Sequence, residues 1–535
     1  MTKFHFAPPY ELPQWPAAPR PALADRHGET QIELHDIVIV GAGLAGLTLA
    51  CDLAQRGVRA VVLDEDDTVG VRGASSRGIC YAQKSLEIFE RLGIFERIRA
   101  KGVSWAVGNT FSGEHRVWSF NLQSNSVSRE PPFINLQQFY LEWFLVDRIM
   151  ELGHVELRWK HQFQTLTQHS DHVQLEVQTP QGPYSLRARH LVDATGVNSP
   201  IRTQLGLDAH ASRSADRWCI TDVRFKKPLP QERWTWIDAP FNDGRSVWQH
   251  PMADEVWRMD YQMGEDADAD EVSKPEVASA RLSAQLGAEV ELEFVWIGPY
   301  LYRDHLLDEM RHGRVFFIGD AAHVVCPFGA RGGNSGIQDA NNLGWKLAWV
   351  QRGWADAALL DSFQAERHAA AAENLKVTRR TARFLAPRTP LEHQMRRAVV
   401  DLAREHTFAR SLVNAGRMSV ANEYPPHAAA PHGAVTVQNI ALQWGQRSGR
   451  AGHVGETSVV QLLRDADSRA LRLCFGDDVP RSDSAHEWTM SVSAIDGPEV
   501  DLVDIDGALA AHLGVTAGAD PGASVLIRPD AYRSR

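Results

Sequence analysis

Cysteine pairs, long apolar runs and an excess of basic charge are all missing from this chain. Its five cysteines are scattered without a C-x-x-C pair, which argues against a dithiol centre or a zinc ribbon and favours a reducing cytoplasm. No run reaches the ~18 apolar residues of a membrane span, and residues 1–34 lack the apolar centre of a secretory signal. A net charge of −11 argues against a nucleic-acid partner, because phosphate backbones are bound by basic surfaces.

A complete metal-binding pattern is missing as well. The acidic stretch 264–271 has the D-x-D-x-D spacing of a calcium loop, but it lacks the loop glycine, and Val277 stands where the closing glutamate belongs. The stretch is interpreted as a solvated turn, and no metal site is predicted.

The chain is organised around a glycine fingerprint near its start. Four β-branched residues, 37–40, predict a buried parallel strand, and Gly41, Gly43 and Gly46 follow as G-x-G-x-x-G at the start of a helix. A second predicted strand ends at Asp64, where an acid can hold a ribose hydroxyl. The helix N-terminus favours a pyrophosphate. The pattern predicts a dinucleotide-binding site but does not distinguish NAD from FAD.

A second ligand-binding element lies in the middle of the chain. Residues 314–318 predict a buried strand that delivers Asp320 to the carboxyl edge of a sheet, where ligands bind in open α/β sheets. The loop 327–336 is rich in glycine, and a helix is predicted over 337–352. Its N-terminus is a second element that favours an anion.

The length of the chain predicts two to four domains. Prolines near the start indicate an extended arm, and alternating aromatic residues over 215–300 indicate an antiparallel sheet. The predicted division is an arm at 1–35, a discontinuous nucleotide-binding domain at 36–205 and 300–390, a substrate-binding sheet domain at 206–299, a helical connection at 391–424 and a C-terminal domain at 434–535.

Together these motifs resemble the class A flavoprotein aromatic hydroxylases, the family of p-hydroxybenzoate hydroxylase and phenol hydroxylase. The resemblance covers about residues 36–420 and rests on the glycine fingerprint, on Gly-Asp-Ala-Ala-His at 319–323 with Pro-Phe-Gly at 327–329, and on the helical sequences 334–347 and 361–367. It implies an α/β fold, in which a Rossmann-like FAD-binding domain is interleaved with an antiparallel-sheet substrate domain. The tail resembles, more weakly, the thioredoxin-like domain of the phenol hydroxylase branch, without its C-x-x-C.

The resemblance implies a set of FAD contacts beyond the glycine fingerprint. In the family, the acid at the position of Asp64 holds the ribose, the arginine at Arg77 contacts the diphosphate, and the glutamine at Gln138 contacts the flavin. Asp320 matches the acid that holds the ribityl chain, and Pro327 matches the proline that borders the active site. Further cofactor contacts are expected from Gly329, Gly332, Gly333 and Asn334.

One motif departs from the family pattern. The family has an Asp-Gly pair that serves both FAD and NAD(P)H binding, whereas here Thr195 precedes Gly196. Asp193 stands two residues earlier and shares a strand face with Thr195, but it is not the matching position. Thr195 and Gly196 are retained as predicted cofactor residues.

The resemblance implies a cytoplasmic FAD-dependent monooxygenase of aromatic catabolism that consumes NADH or NADPH and O₂. Because only one dinucleotide fingerprint is present, the nicotinamide is expected to visit, reduce FAD and leave. The C4a-hydroperoxide of the flavin then hydroxylates a phenol or another activated ring. Two alternatives stay open, namely a flavin-dependent halogenase or dehydrogenase of the same fold, and a non-enzymatic nucleotide-binding protein. Oligomeric state is open, with a homodimer as one option.

A phenol reacts faster as its phenolate, so a base or a proton relay is expected. His250 and Tyr261 are the candidates, on neighbouring predicted strands, and Pro327 completes the predicted catalytic set; each candidate side chain also fits an ordinary place in a sheet. Arg258 is interpreted either as a contact for a substrate carboxylate or as part of a surface ion pair. His323 is interpreted as structural.

Overall fold

The computed structural model describes residues 10–21, 32–70, 78–207, 209–226, 229–264, 266–287, 291–449, 452–475, 484–515 and 523–534. The predicted diphosphate contact, Arg77, lies outside these segments. None of the helices within them has the length and apolar character of a membrane span. All five cysteines are described, and all are buried thiols.

A mostly parallel sheet carries the glycine fingerprint. The strand Glu33–Val40 lies at its centre and pairs in parallel with both neighbours. Because both faces of this strand are covered, it is apolar throughout its second half. The strand order is Arg311–His312, Val315–Phe317, Gly182–Asp193, Glu33–Val40, Ala60–Asp64 and Val155–Trp159, with an antiparallel extension of Gln162–Gln168 and Val173–Thr179. The carboxyl ends of the parallel strands therefore meet at one edge.

The second sheet has eight strands and is antiparallel except where Val107–Ser112 pairs with Arg233–Ala239. Its order is His323–Val324, Leu292–Leu307, Ala209–Phe225, Val256–Met263, Arg245–Pro251, Arg233–Ala239, Val107–Ser112 and His115–Asn121. The last two strands come from within 36–205, so the sheet extends beyond the segment predicted for it. The helix Pro275–Leu286, which the alternating pattern did not predict, covers one face with Ala278 and Leu282.

The C-terminal residues form a third sheet with an apolar core of its own. Ala470–Phe475 and Glu487–Ser493 run parallel at its centre, and Ala523–Ile527 runs antiparallel beside them. The order is Ala434–Thr436, Tyr532–Ser534, Ala523–Ile527, Ala470–Phe475, Glu487–Ser493, Leu502–Val503, Ala441–Trp444 and Glu456–Ser458. A small fourth sheet consists of Cys80–Ala82, Phe133–Asn135 and Val103–Trp105.

The helices predicted after the glycine fingerprint and over 337–352 are present, whereas others, such as Pro275–Leu286, were not predicted. The α-helices of the described segments are Leu44–Gln55, Gln83–Leu92, Phe95–Lys101, Gln138–Leu152, Pro200–Gln204, Ala269–Val272, Pro275–Leu286, Gly332–Gln351, Asp361–Leu385, Pro390–Glu405, Thr407–Arg410, Gln446–Gly449, Val459–Asp465 and Ala508–Leu513. The helix predicted to begin at residue 337 begins at Gly332, so Gly332 and Gly333 form its first turn rather than a preceding loop. Local propensity disfavours glycine in a helix, so the glycine-rich stretch was predicted as a loop.

Candidate active site

The glycine fingerprint forms a tight turn with open space before a helix N-terminus. Gly41 has a φ of +106°, and a Cβ there would lie 2.5 Å from the carbonyl oxygen of Ala194. A Cβ on Gly46 would collide with the Gly41 carbonyl. Gly43 is the N-cap of Leu44–Gln55 without a side-chain cap, and a Cβ on it would meet nothing within 4 Å. The uncapped N–H groups and the open space fit a pyrophosphate.

Asp64 lies at the end of its strand, beside this turn. Its carboxylate accepts hydrogen bonds from the backbone N–H of Ala42 at 2.5 Å and of Asp66 at 2.8 Å. Burial raises the pKa of Asp64. The two bonds hold the carboxyl group at the place predicted for the ribose acid.

Gln138 and Glu142 hold the two flanks of segment 71–77. The backbone N–H of Gly78 donates to Gln138 Oε1 at 3.1 Å, and that of Gly70 donates to Glu142 Oε2 at 3.2 Å. Gln138 Nε2 donates to Glu142 Oε1 at 2.8 Å. Gln138 and Glu142, at i and i+4 on the helix Gln138–Leu152, therefore position the residues on either side of the segment that contains Arg77.

The Gly-Asp motif, the fingerprint helix and the long helix Gly332–Gln351 touch through residues with almost no side chain. Gly319 has a φ of +58°, and a Cβ there would lie 3.0 Å from the Cβ of Ala45. A Cβ on Gly336 would lie 3.2 Å from the Cα of Gly319. This close approach brings the exposed Asp320 to the same edge as the glycine turn.

Asp339 on the long helix holds the Gly-Asp motif in place. Its carboxylate accepts from Gly319 N at 3.0 Å and Arg367 Nε at 2.7 Å, and His323 Nε2 lies 2.6 Å from it. Burial acts to raise the pKa of Asp339, but His323 and Arg367 outweigh it and the pKa falls to about 2. The buried His323 is thus a structural partner of Asp339, as its place in the motif predicted.

The turn that departs from the family pattern is held by the acid two residues earlier. Thr195 donates to Asp193 Oδ1 from its backbone N at 2.9 Å and from Oγ1 at 2.6 Å, and Ser199 Oγ donates to Asp193 Oδ2. Asp193 is fully buried, and burial raises its pKa. Gly196 follows with a φ of +86°. Asp193 therefore acts inside the turn and does not replace the family's acid.

Asn334 connects the long helix to the strand Cys80–Ala82. Its Oδ1 accepts from Ala82 N at 2.9 Å and Ser85 Oγ at 2.7 Å. Its Nδ2 donates to the carbonyls of Cys80 at 2.9 Å and Ala330 at 2.6 Å. These four bonds occupy the amide completely. The side chain of Asn334 is therefore structural, and any cofactor contact here falls to backbone groups.

The loop before the long helix and the first turn of that helix expose two of the residues that the resemblance singled out, Pro327 and Gly333. Gly329 has a φ of +79°, and a Cβ there would collide with the carbonyl of Arg417. Pro327 is exposed on this loop, and Gly333 is exposed in the first helical turn. The exposed helix N-terminus and Pro327 thus lie near the Gly-Asp motif.

His250 lies in a buried row of charged side chains across the antiparallel sheet. Its neighbours in the register are Arg233 on one strand and Arg258 on the other. Burial and these two cations lower the pKa of His250 well below its ordinary value, so the imidazole is neutral at neutral pH. Its Nδ1 lies 4.0 Å from Cys80 Sγ. Arg258 is not a surface residue, because it is buried and donates to both oxygens of Asp222 at 2.9 and 3.2 Å.

Tyr261, the other candidate for the base, lies on the opposite face of the sheet from His250. It pairs with Val247, whereas His250 pairs with Arg258, and side chains alternate between faces along a strand. The Tyr261 hydroxyl donates to Gln285 Oε1 at 2.5 Å, on the covering helix. His250 and Tyr261 therefore cannot act on one ligand.

Aromatic side chains connect the His250 face of the sheet to the Pro327 loop. The ring of Phe328 lies 5.1 Å from Trp248, 5.2 Å from Tyr302 and 6.1 Å from Trp218. The indole N–H groups of Trp218 and Trp248 are buried without a hydrogen-bond partner among the described residues. The face thus combines apolar rings with donors that have no protein acceptor.

Sequence reasoning missed two charged residues on this face, Arg233 and Asp260. Asp260 pairs with Trp248, its Oδ2 lies 3.9 Å from His250 Nε2, and its Oδ1 has no partner in the described segments. Burial raises the pKa of Asp260 to about 7. The sequence does carry a signal for such residues. Each is a charged residue near tryptophans, at a position where the alternating pattern of the strand predicts a buried side chain.

A protein-family model described as an FAD binding domain matches residues 35–378, more than half of the chain. The chain belongs to this FAD-binding family. The 12-dehydrotetracycline 5-monooxygenase/anhydrotetracycline 6-monooxygenase of Streptomyces rimosus is 30% identical over 515 residues, which are 93% of this chain and 94% of the relative. A 3-(3-hydroxy-phenyl)propionate/3-hydroxycinnamic acid hydroxylase of Mycolicibacterium smegmatis is 29% identical over 352 residues, 66% of this chain and 61% of the relative.

Solved structures of the FAD-binding family share the fold. The anhydrotetracycline hydroxylase OxyS of Streptomyces rimosus is 26% identical with a TM-score of 0.69, covering 94% of this chain and 95% of that one. The flavin-dependent monooxygenase PieE, solved with FAD and substrate, has a TM-score of 0.74 at 20% identity, with the same coverage. This family member is an FAD-dependent monooxygenase of the aromatic hydroxylase type, and the relatives named here favour that prediction over a halogenase.

Proposed function

We propose that this monooxygenase hydroxylates an activated ring of a fused-ring phenolic compound, with NADH or NADPH as electron donor and O₂ as oxygen source. The similarity that carries the proposal extends over nearly the whole chain. The 30% identical relatives are named as monooxygenases of 12-dehydrotetracycline, anhydrotetracycline and 6-methylpretetramide. The hydroxyphenylpropionate hydroxylases, which act on a single ring by name, match about two thirds of the chain.

The aromatic face beside Pro327 supports a flat substrate. Trp218, Trp248, Tyr302 and Phe328 form one buried cluster of rings, and its two indole N–H groups have no acceptor among the described residues. Apolar rings beside donors without an acceptor suit a flat ligand that carries oxygen atoms. The neutral His250 and the adjacent Asp260 are proton acceptors on the same face of the sheet as Trp248.

FAD fits the residues at the sheet edge and, when bound, supplies the electron transfer and oxygen activation. The uncapped N–H groups after Gly43 would hold the pyrophosphate, Asp64 the adenosine ribose and Asp320 the ribityl chain. Arg77 and Gln138 are proposed contacts by family resemblance, Arg77 to the diphosphate and Gln138 to the flavin. The N–H groups of Gly332 and Gly333 would stabilise negative charge on the flavin ring.

The turn around Thr195 and Gly196 is proposed to bind the nicotinamide nucleotide. Asp193 keeps this turn rigid through three hydrogen bonds, so the backbone conformation is maintained without the family's acid. The Thr195 hydroxyl already donates to Asp193. Nucleotide contacts at this turn would therefore come from the backbone.

The C-terminal residues are proposed to form a thioredoxin-like domain with a role in stability or assembly. Its mixed central sheet and flanking helices support the fold, and the lack of a C-x-x-C pair supports a role without redox chemistry. A cytoplasmic location and a homodimer remain part of the proposal.

The test is oxidation of NADH and of NADPH by the FAD-loaded enzyme, with oxygen uptake and product mass. Anhydrotetracycline and 3-(3-hydroxyphenyl)propionate are compared, each with and without bromide. We expect the fused-ring compound to accelerate both rates and to gain one oxygen. Acceleration by the single-ring acid alone would contradict the fused-ring class, and a brominated product would contradict hydroxylation.

A further inference from the structure

We infer that Arg233 binds an oxyanion of the substrate and makes the enzyme select ionised ligands over neutral ones. The inference deepens the proposed function and rests on it. It adds the residue that recognises the substrate oxygen.

Arg233 is a buried cation that the protein leaves nearly without hydrogen bonds. Only 1% of its surface is exposed, and neither Nε nor Nη1 has a partner among the described residues. Nη2 reaches only the carbonyl of Ala415, at 3.5 Å. The guanidinium lies over the ring of Trp248, 5.2 Å from its centroid. Burial lowers the pKa of Arg233 to about 10, so it remains charged at neutral pH.

Other buried arginines show what a paired guanidinium looks like in this protein. Arg258 has Asp222 at 2.9 Å and Arg367 has Asp339 at 2.7 Å. The buried Arg331 also lacks a carboxylate among the described residues, but it donates to Asn374 Oδ1 at 2.6 Å and to two backbone carbonyls. Arg233 has no carboxylate within ion-pair distance in the described segments. Asp260, on the same face, acts to raise the pKa of Arg233 but lies beyond ion-pair distance. Because a buried charge without a close partner is costly, we assign the missing counter-charge to a ligand oxyanion.

The surroundings of Arg233 indicate what that ligand offers. Thr235 and Asp260 flank Trp248 in the sheet register, and Trp218 lies on the same face. The Thr235 hydroxyl, both indole N–H groups and one Asp260 oxygen all lack partners among the described residues. Donors and a cation around aromatic rings suit an oxygenated ring that carries negative charge.

The position also suits the reaction. Trp248 lies between Arg233 and Phe328, next to Pro327. An oxyanion on the ring raises electron density at its ortho and para carbons, which are the positions that an electrophilic oxygen attacks. Arg233 would hold the ring by that oxyanion at the end away from the Pro327 loop.

The test uses 4-nitrophenol, whose phenolate absorbs separately from the phenol, at the pH where the free dye is half ionised. The FAD-loaded enzyme is titrated with the dye, with 4-nitroanisole as the neutral counterpart. We expect the wild type to take up the phenolate form. Arg233→Met and Arg233→Gln should bind it about ten- to hundredfold more weakly, the range of a charge-assisted hydrogen bond.

The matched control is Arg281→Met. Arg281 lies 5.0 Å over the ring of Tyr261, on the opposite face of the same sheet, and also has a buried nitrogen without a partner in the described segments. Its loss should leave phenolate binding unchanged. FAD content and melting temperature of each variant separate a binding defect from misfolding.

Three outcomes would overturn the inference: phenolate binding that survives both Arg233 variants, uptake of the neutral phenol by the wild type, or no binding of the dye at all. The proposed function fails separately. Arg233-dependent phenolate binding without any hydroxylated product would contradict the function and leave the inference standing. Hydroxylation at an unchanged rate in both Arg233 variants would support the proposed function and contradict the inference about Arg233.

Discussion

Arg528, close to the C-terminal end, donates hydrogen bonds to both carboxylate oxygens of Glu366, at 2.6 and 3.0 Å. Lys346 shares the same carboxylate at 2.7 Å. The next residue on the helix, Arg367, holds Asp339, which in turn holds the Gly-Asp motif. The C-terminal segment is thus joined to the predicted FAD site through a continuous buried network of charges.

Replacing Arg528 with methionine should destabilise the whole protein. The change removes the cation shared by the buried Glu366 and Asp530 and leaves Glu366 with Lys346, Asn342 and His427. We therefore expect the free energy of unfolding to fall by about 3–5 kcal/mol. Urea denaturation measures it. Arg99→Met, which breaks an exposed pair with Glu96, is the control and should leave the melting temperature unchanged. A loss of less than about 1 kcal/mol for Arg528→Met would show that the network does not stabilise the fold.

Asp320→Ala should lose FAD while the apoprotein stays folded. The side chain is exposed at the sheet edge, and the Gly-Asp motif is held by Asp339 rather than by Asp320 itself. Flavin content after purification and fluorescence titration with FAD measure the effect. Glu114→Ala, on an exposed hairpin, serves as control. Full FAD retention by Asp320→Ala would remove Asp320 from the site.

Asp260→Asn should stabilise the protein in a pH-dependent way. Burial raises the pKa of Asp260 from 3.8 to about 7, so the folded state binds its proton more tightly than the unfolded state does. The stability that this proton contributes is present below about pH 4 and is lost as the pH rises through about 7. As the pH rises across that window, the free energy of unfolding of the variant should therefore come to exceed that of the wild type by on the order of a few kcal/mol. Denaturation at about pH 5 and about pH 8 would detect it, and a constant difference would contradict the shifted pKa.

Thr195→Val removes one of the two hydrogen bonds that Thr195 donates to the buried Asp193. An acceptor left with fewer donors costs about 1–3 kcal/mol, so the free energy of unfolding should fall by that amount. We also expect a higher KM for the nicotinamide with FAD content retained, because the turn loosens. Thr195→Ser keeps the hydroxyl and should resemble the wild type. Equal behaviour of the valine variant in both assays would show that Asp193 does not maintain this turn.

The placement of the candidate catalytic residues could not be predicted from the sequence. His250 and Tyr261 both lie on predicted strands, but the strand register decides which residues share a face, and it separates them. Asn334 fits the family motif, yet its amide is used up by Cys80, Ala82, Ser85 and Ala330. A contact between residues that are hundreds of positions apart leaves no local pattern in the chain.

The sequence by itself determined the nucleotide-binding core. Apolar runs, glycines at turns and an acid at a strand end follow from local sterics and helix electrostatics, so Gly41, Asp64 and Asp320 could be predicted from strand ends and spacing. Tertiary structure alone decided the proposed substrate face, where Arg233, Trp248 and Asp260 come from different strands. How these strands pair decides which side chains are buried together and which of them lack hydrogen-bond partners. Burial and neighbouring charges in turn set the protonation state of each side chain.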